Sequence, residues 1–232
     1  MILIFGVIIM SWRQAPQTRD SDYDELIGQQ VKIFVTECLK KTTEDGIEYI
    51  SLRGGYYDVP ALNSEFMSRP ISVHWHYTEN HAPSTEVMEA ELSKYITDNI
   101  NDCIGDFQTF TDSGYKIDSG VLLAEPMITE DSVIVDTYFP LDIDRQGVLT
   151  KQDKFFVEVP SYIMKQHTIA EAILQEHQEF QNSIPVSYLI MDAREKGYRY
   201  DILHGSNDTV LYSIIFEDEL IHDYSFAARY DW

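Results

Sequence analysis

Basic residues are scarce in this chain. Of 232 residues only 17 are Lys or Arg, against 39 Asp or Glu, which gives a formal net charge of −22. A surface that negative repels phosphate backbones, and no basic patch offsets it, so nucleic-acid binding is excluded as a general role. Adsorption to anionic lipid headgroups is disfavoured for the same reason. Phosphate loop, dinucleotide fingerprint and nucleophile elbow are all missing, which removes the motif-bearing nucleotide enzymes and α/β-hydrolases. No low-complexity stretch or long linker divides the chain, and cysteine is limited to two positions. What is present is an ordinary globular composition, 44% hydrophobic and 24% charged, at a length that suits one large domain or two small ones.

Residues 1–12 are almost wholly apolar, with Ile2, Leu3, Ile4, Phe5, Val7, Ile8, Ile9 and Met10. A membrane-spanning helix needs roughly 20 such residues. A secretory signal carries its bases before the apolar stretch, whereas Arg13 and Arg19 follow it here. Three readings stay open: a signal-anchor, a cleavable signal with a vestigial basic region, or a first strand or helix of the core. The first leads, because residues 14–24 are polar and resemble a stalk. The expected organisation is a hydrophobic N-terminal helix over 1–13, a stalk over 14–24 and an acidic domain over 25–232. That domain has two possible helix-plus-meander halves, 25–160 and 161–232.

Cys38 shares an apolar helical stripe with Val31, Phe34 and Val35, and Cys103 shares another with Leu92, Tyr95, Ile96 and Ile100. Two buried free thiols would look the same in sequence. In an oxidising compartment, a Cys38–Cys103 disulfide between two packed helices is the better reading.

Periodicity predicts a first helix over 24–52, bent near Asp45-Gly46 and stopped by Gly54-Gly55. An irregular stretch to Pro83 follows, in which 71–77 alternates as a short edge strand. Ser84 or Thr85 caps a second helix. The period then switches to two, with strands over 115–124, 132–144 and 154–159 joined by turns at 125–131 and 146–153. Helices over 161–180 and 183–196 come next, and strands over 198–204, 209–216 and 224–230 close the chain. The fold class is α+β, with antiparallel β meanders packed against about four helices.

Three patterns carry candidate chemistry. His74 and His76 point to one face of a strand, about 7 Å apart, and with His81 or Glu79 they suit a divalent metal. The run from Asp142 to Asp153 matches a calcium loop at Asp142, Asp144, Gln146 and Gly147, with Asp153 at its twelfth position. Asp replaces the preferred Glu there, and the flanks read as strands. Asn207-Asp-Thr209 is a glycosylation sequon on an expected turn. His167, Glu171, His177 and Glu179 read as one solvated helix face, and most of the 15 tyrosines as half-buried cross-strand packers.

The stretch from Val31-Lys-Ile-Phe-Val35 through Leu52-Arg-Gly-Gly-Tyr56 resembles a group of archaeal surface proteins of unassigned activity. So do Tyr95-Ile96 through Phe107, Val135-Asp-Thr-Tyr-Phe-Pro140-Leu141, and Thr209 through Tyr230. The similarity spans roughly residues 31–230. It implies a pilin-like N-terminal membrane segment, an extracytoplasmic α+β domain, and no catalytic residues or cofactor. The expected function is a non-enzymatic cell-surface protein, membrane-anchored or filament-forming, serving as an adhesin or structural subunit. Its expected partners are the membrane, through the N-terminal segment, and further copies or other surface proteins. The alternative is a metal-dependent hydrolase or calcium-binding surface protein that uses His74, His76 and His81 or the Asp142–Asp153 loop.

Overall fold

A computed structural model describes residues 19–205, 208–216 and 223–232, with side chains described from Gly28 onward. The expected hydrophobic N-terminal helix lies outside the described residues, as does the start of the stalk. From Arg19 the expected stalk is already helical. Helix α1 runs Arg19–Ser51, and Val31, Val35, Cys38, Leu39, Ile47 and Ile50 form its buried stripe. It passes through Asp45-Gly46 without a break, contrary to the sequence reading. Gly46 is a crossing point instead: a Cβ there would stand 2.7 Å from Tyr95 Cδ1 and 2.8 Å from Leu92 Cδ1. The residue weakens the helix locally and lets its neighbour approach. The predicted stop holds, since Gly54 and Gly55 have φ of +73° and +88°.

Helix α2, Thr85–Ile104, has Ser84 at its N-cap, Glu86 in its first turn and a left-handed Gly105 at its end. It packs against α1. A short 3₁₀ turn (Gly105–Phe107) and a four-residue helix α3 (Gln108–Thr111) follow.

The chain builds two sheets. Three strands of the second, β1 (Asn63–Phe66), β2 (Arg69–His76) and β3 (Glu79–Asn80), precede α2. The first sheet comprises β4 (Tyr115–Ser119), β5 (Leu123–Ile128), β6 (Ser132–Arg145) and β7 (Val148–Pro160). All its pairings are antiparallel: β4 and β5 follow one another along one edge of β6, and β7 takes the other edge. The single strand expected over 115–124 is interrupted because β6 carries a register shift between Tyr138 and Leu141. Gly120 N–H donates to Pro140 O at that point. Helix α1 lies on β7 and α2 on β5.

The second sheet is completed by β8 (Arg199–His204), β9 (Thr209–Ile215) and β10 (Tyr224–Arg229). Its order is β1-β2-β10-β9-β8, with β3 also on β2. Two expectations change here. The strand read as an edge strand is interior, and five successive residues, Ile71 to Trp75, are buried. Strands β2 and β10 are parallel, so the sheet is mixed and spans the 160/161 division. Helix α4 (Ile163–Glu179) covers β2, β9 and β10, and α5 (Val186–Lys196) covers β8. Buried residues of both sheets belong to one continuous cluster. Among the described residues the architecture is α+β with four substantial helices. Among the described residues, no helix is long and apolar enough to cross a membrane.

Candidate functional site

Cys38 and Cys103 are bonded, with their Cα atoms 5.5 Å apart. Stripe spacing on α1 and α2 brings them together: Cys38 is buried at mid-helix and Cys103 lies in the last turn of α2. One turn away on α1, Phe34 meets Phe107 and Phe110, with ring centroids 6.4 and 5.2 Å away. Beside the bond opens a polar cleft of about 410 Å³, lined by Lys41, Asp45, Asn99, Asp102 and Cys103 itself. Further along the helix pair, Tyr95 packs on Tyr49 and Tyr57. Glu91 is 7% exposed and accepts from the backbone N–H groups of Tyr57 and Asp58 at 3.1 and 2.7 Å. Its other oxygen meets Lys94 Nζ, so this buried carboxylate is fully compensated.

The three histidines proposed as metal ligands do not converge. His74 is fully buried and its Nε2 donates to Gly54 O at 3.0 Å. Its ring stacks on Phe226, with centroids 5.0 Å apart and planes 10° apart. Burial outweighs that hydrogen bond and pushes its pKa down to about 3, so the ring is a neutral core group. His76 stays half-buried near the surface, 6.3 Å from His81 between ring centroids, and His81 Nε2 lies 3.3 Å from Glu79. Among the described residues, no three His, Cys, Asp or Glu side chains are grouped to hold a metal ion. The alternating pattern places His74 and His76 on one face of a strand but could not show that β2 is covered.

The calcium-loop pattern also resolves differently. Residues 142–153 are the tip of the β6–β7 hairpin, with Asp142 opposite Lys151 and Asp144 opposite Leu149. Only Gln146 and Gly147 turn the chain, with φ of +56° and +86°, the conformation of a two-residue hairpin loop. Asp142 pairs with Lys151 Nζ at 2.9 Å, Asp144 Oδ1 accepts from Gly147 N–H, and Asp153 is exposed on β7. Cross-strand pairing holds the chain extended where a coordinating loop must coil around its ion. Asn207 lies outside the described residues.

Helix α4 is not uniformly solvated, contrary to the sequence reading. His167 and His177 are 2% and 0% exposed. His167 Nε2 donates to Pro83 O at 2.8 Å, and His177 meets Ile173 O, Tyr230 and Tyr212. Sequence reasoning missed this network because its partners arrive from β9 and from beyond β10. It also missed an open cleft of about 760 Å³ on the first sheet, lined by Lys32, Leu123, Asp136, Tyr138 and Phe156 among others. Compared with protein-family models, curated proteins and solved structures, the chain has no match.

Proposed function

We propose that this is a non-enzymatic cell-surface protein, held to a membrane or assembled into a filament through its N-terminal apolar segment. The Cys38–Cys103 bond carries this reading. Structural disulfides persist in oxidising compartments, and this one joins the helix that follows the apolar segment to the next helix of the domain. A pull entering through the N-terminal segment would pass along α1, and the bond at Cys38 would share that load with α2. The charge of −22 suits a domain exposed to solvent and keeps copies from adhering indiscriminately. The resemblance to archaeal surface proteins points the same way.

Intact-mass measurement of natively purified protein, alkylated with and without reductant, tests the compartment. A mass shift only after reduction is expected, and two free thiols in the native protein would remove the support for an extracytoplasmic home. Fractionation of the producing cells tests attachment. The full chain is expected with membranes or surface filaments, and recovery from the cytosol would overturn the assignment.

A further inference from the structure

Tyr212, Tyr230 and His177 form a directed hydrogen-bond chain that an exposed tryptophan connects to solvent. His177 sits in the last turn of α4, and its Nδ1 is 2.6 Å from Ile173 O. A carbonyl only accepts, so Nδ1 holds the ring proton and Nε2 of the neutral ring is an acceptor. Tyr230 donates its O–H to that Nε2, and Tyr212 donates to the Tyr230 oxygen at 2.5 Å. Both phenols are buried, at 0% and 1% exposure. Burial lifts both their pKa values above the ordinary phenol range and pulls that of His177 below its ordinary value, so all three groups rest neutral. Trp232 is 55% exposed and stacks on Tyr230, with centroids 4.4 Å apart and planes 9° apart.

We infer that Tyr230 is a redox-active tyrosine, oxidised through Trp232 by an oxygen-centred radical in the solvent, with His177 as its proton acceptor. A peroxyl radical takes one electron from the Trp232 indole and, with a proton from water, becomes a hydroperoxide. The indole radical cation regains an electron from Tyr230. As that electron leaves, the Tyr230 O–H bond breaks and its proton moves along the existing hydrogen bond to His177 Nε2. The products are a neutral tyrosyl radical and an imidazolium whose two N–H groups face Tyr230 and Ile173 O. An oxidised phenol is a strong acid, and a buried cation without a proton acceptor is costly. His177 is placed to take that proton. Tyr212 keeps its hydrogen bond to the phenoxyl oxygen throughout.

The test uses the full chain and ruthenium(III) tris-bipyridine, generated by flash photolysis, as the one-electron oxidant. A neutral tyrosyl radical is expected by electron paramagnetic resonance, and it should long outlive free tyrosine radicals because a buried ring cannot couple to a second one. Trp232→Leu changes an exposed side chain and should slow radical formation by an order of magnitude or more. Tyr230→Phe should abolish the long-lived signal while leaving short-lived radicals on exposed tyrosines such as Tyr77 and Tyr138. In His177→Gln, formation should become dependent on buffer base. An unchanged rate in Trp232→Leu, or a long-lived signal that survives Tyr230→Phe, would overturn the assignment. If the two core variants fail to fold, the Trp232→Leu rate alone decides.

Discussion

The two sheets solve the same burial problem in opposite ways. In the first, β6 and β7 alternate buried and exposed residues along most of their length. Helices cover one face, and the open face shows Leu123, Tyr138 and Phe156. In the second, β2, β9 and β10 are buried almost end to end. A sheet with one covered face needs only apolar side chains on that face. Strands buried on both faces carry polar groups inward, and each such group must find a partner. The second sheet meets much of this demand with His74 Nε2 on Gly54 O, Gln166 on Ile214 O and the His177–Tyr230–Tyr212 chain, while Ser72 Oγ, His74 Nδ1 and Trp75 Nε1 on β2 are buried without a hydrogen-bond partner among the described residues. The first region relies on a covalent bond between its helices. One half is stapled and the other is hydrogen-bonded.

That contrast makes the second sheet the more sensitive to truncation. Trp75→Ala removes a side chain with no exposure and should destabilise the protein by up to about 5 kcal/mol, read as a lower urea midpoint with unchanged slope. Because one core cluster joins both sheets, near- and far-ultraviolet dichroism should lose signal together. Two separate transitions would break the comparison into independent domains.

Removing the staple comes next. The bridge spans 65 residues of sequence, for which chain entropy predicts about 4 kcal/mol. In a Cys38→Ser/Cys103→Ser variant, hydrogen exchange should show α1 and α2 losing protection while β9 and β10 keep theirs. Earlier loss in β9 and β10 would reverse the assignment of roles.

Acid gives the smallest and most specific effect. The folded-state pKa of His74 is about 3 against an ordinary 6.5, and that of His177 is displaced in the same direction. Below 6.5 the unfolded chain binds protons that the native rings refuse. Stability should therefore be flat in these groups above that pH. It should fall as pH drops from 6.5 toward 3, by at most about 1.4 kcal/mol per pH unit for His74, with His177 contributing in the same direction. Urea midpoints of the parent and of His74→Gln, followed from neutral pH downward, should diverge in slope over that window. Parallel slopes would mean that His74 is protonated in the fold.

The same contrast decides what was legible in the sequence. Helix stripes, Gly54-Gly55 as a helix stop, and the last three strands were readable because each is a local rule with a local cause. The disulfide was readable because both cysteines sit on predicted stripes. Gly46 misled because a glycine at a helix crossing looks like a glycine at a bend until the partner helix is known. Strand β2 misled because the alternation of residues 71–77 reads as a half-exposed edge, while its cover comes from α4 and β10, more than 80 residues further on. The calcium-like spacing was matched residue by residue, but cross-strand pairing decides the shape of that segment. The buried His177 network has no signal in one sequence, since its members are distant and each is unremarkable alone.

The parallel pairing of β2 with β10 also sets a schedule for synthesis. Every described element of the first sheet and the helix pair above it has been synthesised by Pro160, so all their partners are present from that point. Strand β2 is made before most of them, but its partner, Tyr224–Arg229, is made only after all of them. Until then Ile71, Val73 and Trp75 have no strand beside them on that edge, and pairings this distant in sequence form slowly. Between the synthesis of β2 and that of β10 the nascent chain carries an apolar strand waiting for a partner, the kind of surface that chaperones bind and that aggregates when crowded. The vulnerable interval for this protein lies between the making of those two strands.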